Sequence, residues 1–323
     1  MVSLSIVIPV YRGAATIPDL AATLDTYLPT ITDTYEVIMV EDDGGDHSWD
    51  VIQTLVARYE WLRGYKLLRN YGQHNALLCG IRAARYDVIV TMDDDLQHPP
   101  HEIPKLLAKL DDGYDVVYGT PEQKQHTQGR KLGSSIIRLT LSAIMGADTA
   151  RHASAFRAFR TYLRDAFADY HSPSVTIDVL LAWGTKRFTH TPVVHQERQA
   201  GASGYNFARL VSTAITMLTG FSVLPLRLAS VLGFVMTAFG FALLLWIIPV
   251  RYLLYGQFAV PGFTMTASMI AIFSGVQMFT IGIIGEYIAR MHFRLMDKPP
   301  YVVRESISAE DAVERPRVSS SSG

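Results

Sequence analysis

At 323 residues the chain is long enough for one sizeable α/β domain and a further element. With 49% hydrophobic residues, and a charged fraction of 18% against the roughly 25% usual for soluble domains, it points to a membrane-associated portion. A net charge of −1 excludes a general electrostatic pull toward nucleic acid or anionic lipid, and a single cysteine excludes an internal disulfide. Cys79 sits in the apolar run Ala76-Leu77-Leu78-Cys79-Gly80, so it reads as a small buried hydrophobe rather than a nucleophile. The N-terminus enters a strand-like run directly, without the pattern of a cleaved signal.

Along residues 1–120 two periodicities alternate. Strands are predicted at Leu4–Val10, Tyr35–Val40, Gly64–Leu68, Asp87–Met92 and Asp115–Tyr118. Helices are predicted between them, at Thr16–Leu28, His47–Tyr59, Gln73–Ala84 and His101–Leu110. Near-continuous Val/Ile strands alternating with helices imply a parallel sheet covered on both faces, with ligands at the carboxyl ends of the strands.

Residues 121–205 are less regular. Gly133–Met145 and Asn206–Leu224 are mixed apolar segments that suit either core or interfacial helices. Leu228–Ile248 and Phe258–Gly285 then carry no charge, and each exceeds the roughly twenty residues a membrane span needs. The alternative is a pair of buried core helices. The connection Pro249–Gln257 holds one charge, Arg251, whereas the outer flanks hold Arg209, Arg227, Arg290, Arg294, Lys298 and Arg304. Positive-inside logic places both flanks in the cytoplasm. The tail from Glu305 is polar and reads as disordered.

Four polar constellations follow predicted strands. Asp93-Asp94-Asp95-Leu96-Gln97-His98-Pro99-Pro100 closes the strand DVIVTM. Its carboxylates repel one another, and a hard divalent cation shared with substrate phosphates would relieve that repulsion. Asp95 and Gln97 are spaced to meet one ion, and Asp93 to reach ribose or phosphate. The alternative is an acidic turn that caps the helix beginning at the two prolines. Glu41-Asp42-Asp43-Gly44-Gly45-Asp46 suits a base or ribose, although Asp46 also reads as a helix N-cap. Pro9-Val10-Tyr11 offers a ring to a base. Arg69-Asn70-Tyr71-Gly72-Gln73-His74 precedes a helix N-terminus, where anions are favoured.

These residues, with GYDVVYG, SAFRAFR, HQERQAGASGY and GIIGEYIARM, resemble the family 2 glycosyltransferases. More narrowly, the chain is similar to the polyprenyl-phosphate branch: dolichyl-phosphate mannose synthases, bactoprenol glucosyltransferases and, closest through RNYGQH, DLQHPPHEIPKL and GEYIAR, the undecaprenyl-phosphate aminoarabinose transferases. The resemblance spans about residues 3–305. It implies a GT-A (Rossmann-like) α/β domain over 1–205, with an interfacial helix about 133–145. A juxtamembrane amphipathic helix over 206–224, a two-helix transmembrane region over 225–290 and a cytoplasmic, partly disordered tail over 291–323 would follow.

By the same resemblance Pro9, Tyr11, Asp42, Asn70, Asp93 and Asp94 would line the nucleotide site. Asp95 and Gln97 would hold a divalent cation, Mg²⁺ or Mn²⁺, and Arg130 and Arg198 would pair with phosphates. The implied partners are a nucleotide-sugar of the UDP type, polyprenyl phosphate and the cytoplasmic membrane; nucleic acid is not among them, and related enzymes can be homo-oligomers. The implied reaction is inverting sugar transfer to the lipid phosphate, a nucleophile largely dianionic at pH 7 that needs positioning more than deprotonation.

The chain departs from the family pattern at Asp43 (usually Gly), Pro121 (often Arg), Ala155 (an Asp in some relatives), and Ala202 and Gly204 (Glu and Lys). Lys124 or Lys131 could compensate for the lost cations. A processive polysaccharide synthase is disfavoured because no QxxRW-like motif is found. A membrane-bound scaffold with lapsed catalysis is the alternative from another class.

Overall fold

The computed structural model describes residues 2–121, 152–172, 175–195, 226–236, 238–240, 242 and 263–310. The chain divides into two units, Met1–Leu210 with Asp297–Gly323, and Val211–Met296.

The first unit begins with β1 (Leu4–Val10), α1 (Ile17–Ile31), β2 (Tyr35–Glu41), α2 (Ser48–Arg58), β3 (Leu62–Leu67), α3 (Gln73–Ala83) and β4 (Val88–Thr91). A 3₁₀ turn at Pro100–Glu102 leads into α4 (Ile103–Asp111) and β5 (Val116–Pro121). Strand β6 (Arg157–Arg160), a second 3₁₀ segment (Thr161–Phe167), α5 (Ile177–Gly184) and β7 (Phe188–Val193) follow. The patterning behind these elements is direct. In α1 the buried residues Ile17, Leu20, Ala21, Leu24 and Leu28 recur at helical spacing, with proline in the first turn. Each fully buried leucine contributes about 2 kcal/mol relative to exposure.

With β8 (Val303–Ile307), the strands form one eight-stranded sheet in the order β7-β5-β6-β4-β1-β2-β3-β8. Strands β4, β1, β2 and β3 are mutually parallel. One apolar cluster joins Leu4, Ile6, Ile8 and Val10 of β1 to residues of α1, α2 and α4. The alternate residues, among them Val7 and Val40, face α3. There the helix backbone comes so close that a Cβ on Gly80 would lie 2.3 Å from Val7 Cγ1.

Two features correct the sequence reading. The sheet is mixed, because β6 runs antiparallel between β4 and β5. An apolar run buried on both faces identifies a strand but carries no information on its direction or neighbours. In addition, residues 303–307, partly assigned to a disordered tail, form β8 (Val303–Ile307), antiparallel to β3. Side-chain and backbone bonds secure it: Trp49 Nε1–H donates to Glu305 Oε2 at 3.2 Å, and the Leu68 N–H donates to the Val302 carbonyl at 2.9 Å. Arg304 and Ser306 are exposed on this edge strand, so its composition imitates a tail.

In the second unit residues 226–236 and 238–240 are helical, beginning two residues before the first uncharged run and continuing into it. Helix α6 (Phe263–Leu295) contains most of the second run and continues past it through Glu286 and Arg290. Among the described residues it alone is long and apolar enough to cross a membrane, through Ile272–Ala289, with a mean hydropathy of 1.4. None of that window is buried. The expected segments Gly133–Met145 and Asn206–Leu224 lie outside the described residues.

Candidate active site

Because β1 to β4 are parallel, their carboxyl ends share one edge, and the four polar constellations follow those ends. The loops are laced to one another. After β1, the Gly13 N–H donates to Ser48 Oγ at 3.0 Å, and the Ala14 N–H to Asp46 Oδ2 at 3.3 Å. Arg12 Nε donates to the Gly44 carbonyl at 3.0 Å. Asp46 also accepts from the Ser48 N–H and hydroxyl, so it serves the loop junction as well as the start of α2. Burial works against its carboxylate, yet the bonds from Ser48 and Ala14 hold its pKa below the ordinary value.

Asp42 is almost fully buried and clamps the loop after β3. Its two oxygens accept the Tyr71 N–H at 2.7 Å and the Gly72 N–H at 2.8 Å. Desolvation raises its pKa to about 6, against the lowering effect of those two bonds, with repulsion from Glu41 and Asp43 adding to the rise. Asp43, which stands where the family usually has glycine, takes φ 48°, in the left-handed region that glycine enters without steric cost.

The acidic turn after β4 distributes its three carboxylates among different jobs. Asp93 Oδ1 accepts from Gln73 Nε2 at 2.7 Å, tying the turn to the start of α3. Asp94 Oδ2 accepts the Tyr11 N–H at 3.4 Å and lies where a Cβ on Gly13 would come within 2.4 Å. Only glycine at position 13 allows that approach. Asp94 has its pKa raised to about 7, mainly by desolvation and also by repulsion from Asp93 and Asp95. Asp95 Oδ1 accepts the Gln97 N–H at 3.2 Å, so the two expected metal-binding residues are neighbours. His98 is buried and stacks on Phe156; burial, then the charges of His195 and Arg157, lower its pKa to about 3.

Of the remaining expected residues, Pro9 is buried in β1 beside Val40, Tyr11 is 49% exposed on the edge with Arg12 against its ring, and Asn70 is exposed in the loop after β3. Arg130 and Arg198 lie outside the described residues, as do Lys124, Lys131, Ala202 and Gly204. At Ala155 the backbone carbonyl accepts from Thr91 Oγ1 at 2.7 Å. Sequence reading gave no individual role to Gln73, Gly13 or Ser48, because their partners lie between 20 and 35 residues away. It also missed the buried ion pair of Arg157 in β6 with Asp178 in α5, to which the Tyr118 hydroxyl donates at 2.9 Å. This pair fixes α5 to the sheet. Cys79 is buried and its thiol is pushed up to about 12 by desolvation, in line with an inert core position.

The family 2 glycosyl transferase model matches residues 5–170, which contain all four loops. The chain belongs to glycosyl transferase family 2. This family 2 chain is also 33% identical over 304 residues to the undecaprenyl-phosphate 4-deoxy-4-formamido-L-arabinose transferase of Klebsiella pneumoniae, covering 94% of this chain and 93% of that one. The protein of the same name from an Enterobacter strain is 33% identical over 305 residues, with the same coverage. Among solved structures, glucosyl-3-phosphoglycerate synthase from Mycobacterium tuberculosis aligns with TM-score 0.51 at 16% identity, over 68% of this chain and 78% of that one. That likeness establishes the GT-A fold. The synthase was crystallised with Mn²⁺, UDP and its product.

A divalent cation fits the residues of the acidic turn. Among the described residues no three His, Cys, Asp or Glu side chains form a ready-made cage. Ions of the Mg²⁺ type commonly bind through one or two protein carboxylates plus substrate phosphates, and need no such cage. Asp95 and Gln97 provide hard oxygen donors, and the mutual repulsion of the turn's carboxylates is what a cation would relieve.

Proposed function

We propose that this glycosyltransferase moves a sugar from a UDP-type nucleotide-sugar onto polyprenyl phosphate, with inversion at the anomeric carbon, at the cytoplasmic face of the membrane. The observation that carries the reading is the turn Asp93–Gln97. It is braced on the carboxyl edge by Tyr11 and Gln73, with Asp95 and Gln97 adjacent. Similarity over nearly the whole length of named undecaprenyl-phosphate transferases supports the acceptor.

Within this reading Tyr11 and the loop clamped by Asp42 receive the base and ribose. Asp93 and Asp94 shape the turn. A divalent ion held by Asp95 and Gln97 would neutralise charge building on the leaving nucleoside diphosphate. Arg130 and Arg198 are assigned to phosphate oxygens, where a guanidinium can bond bidentately. The acceptor needs no general base, which accommodates Ala155.

Chain connectivity supports two membrane crossings. Strand β8 follows α6 yet pairs with β3, so strands that precede the second unit in the chain and a strand that follows it build one sheet. They therefore lie on the same side of any bilayer. If α6 crosses once, the chain between 211 and 262 must cross an odd number of times, and the uncharged run Leu228–Ile248 is the segment suited to it.

The deciding experiment offers the full chain, reconstituted in bilayers with Mn²⁺, a panel of UDP- and GDP-sugars and undecaprenyl phosphate, with mass spectrometry of the lipid. One donor is expected to give a glycosylated lipid phosphate. Failure of every donor to modify the lipid, with nucleotide binding intact, overturns the reading in favour of a scaffold with lapsed catalysis.

A further inference from the structure

We propose that His98 is a positioning residue for the acidic turn, its Nδ1 holding Asp95 and Gln97 in the arrangement that receives the cation. The inference rests on the metal-dependent reading of the turn and deepens it.

The turn closes on itself through two bonds. The Asp93 N–H donates to His98 Nδ1 at 3.4 Å, and the Gln97 N–H donates to Asp95 Oδ1 at 3.2 Å. Between them Leu96 takes φ 61°, a left-handed conformation that is disfavoured for leucine and must be held by its surroundings. His98 is placed to do the holding. It is 4% exposed, and its ring stacks on Phe156 with centroids 5.1 Å apart and planes 14° apart. The edge of His195 completes the contact at 5.2 Å.

Phe156 is itself a rigid platform. Its carbonyl accepts the Gly119 N–H at 2.9 Å, and its ring lies so close to β5 that a Cβ on Gly119 would meet Phe156 Cδ1 at 2.6 Å. The imidazole therefore cannot swing away without disturbing β5 and β6. An Nδ1 that accepts a bond requires a tautomer with the proton on Nε2. A histidine here differs from a phenylalanine ring in offering an acceptor to the first N–H of the turn. Without it the turn loses one of the bonds that hold Leu96 in the left-handed region, which lets Asp95 and Gln97 move apart.

Three variants test the proposal: H98N, whose Oδ1 stands near the place of Nδ1; H98Q, whose acceptor stands near Nε2 instead; and H98F, which keeps the ring and loses the acceptor. The readout is Mn²⁺ affinity of the full chain with UDP present, followed by titration calorimetry, alongside UDP affinity in EDTA and melting temperature. H98F and H98Q are expected to weaken Mn²⁺ about tenfold, the scale of losing a group that orients metal ligands, with metal-free UDP binding unchanged. H98N is expected to restore most of that affinity. Should H98F fold poorly, the contrast of H98N with H98Q carries the test. Equal Mn²⁺ affinities for H98N and H98Q, or wild-type affinity in H98F, would overturn the role of His98. A wild-type chain that binds UDP but no Mn²⁺ overturns instead the metal-dependent reading, and this inference with it.

Discussion

Asp42, at the end of β2, receives the backbone N–H groups of both Tyr71 and Gly72, so a carboxylate expected to face a base is also the clamp of the loop beside it. Desolvation raises its pKa from 3.8 to about 6. A carboxyl with a raised native pKa contributes stability that is complete below about pH 4 and is lost as pH rises through about 6, because the native state then binds the extra proton. Wild-type stability is therefore expected to fall by roughly 3 kcal/mol across that window through this group. Asp42→Asn should flatten that component, measured by urea unfolding from pH 4 to pH 8. It should also weaken UDP binding, since an amide cannot accept both N–H groups. An unchanged pH slope in the variant would remove Asp42 as its source.

Under the proposed function the metal role in the acidic turn falls to Asp95 rather than Asp94. Asp95→Ala is expected to lower transfer at least about a hundredfold, the scale of losing one preorganised electrostatic contact at a transition state. Membrane insertion should be preserved, as read by fractionation. Near-normal turnover would refute the assignment.

Gly13 is the position where the loop after β1 meets the turn. In Gly13→Ala the new Cβ falls 2.4 Å from Asp94 Oδ2, and the carboxylate must leave the Tyr11 N–H. Transfer should drop roughly ten- to a hundredfold, as small displacements of a reacting geometry do, with little change in melting temperature. A variant as active as the parent would show that the Asp94 contact is dispensable.

Cys79 is buried, with its thiol pushed to about 12, and gives a quiet background for labelling. With an impermeant maleimide on intact cells, Gln257→Cys is expected to react, whereas Glu310→Cys should react only after lysis. Reaction of both on intact cells, or of neither, would contradict two crossings with both flanks inside.

Elements of the first unit were legible wherever local chemistry repeats. Leu4–Val10 is a strand with the expected bounds, and α1 runs three residues beyond its expected end at Leu28. The four loops could be placed on one edge because an alternation of strands and helices constrains parallel strands to share it. The antiparallel insertion of β6 could not be read, nor could the return of the polar segment Val303–Ile307 to β3 from beyond α6.

The sequence alone determined which chemical groups stand at strand ends: carboxylates, an amide and a tyrosine in short fixed spacings. Periodicity and local charge are properties of neighbours along the chain. Tertiary structure decided how those groups divide their work. Asp42 was turned onto the Tyr71 loop, Asp94 was pressed against Gly13, and Asp95 was left beside Gln97. Each of these outcomes depends on a partner brought close by folding, and a one-dimensional pattern cannot encode a distance between residues tens of positions apart.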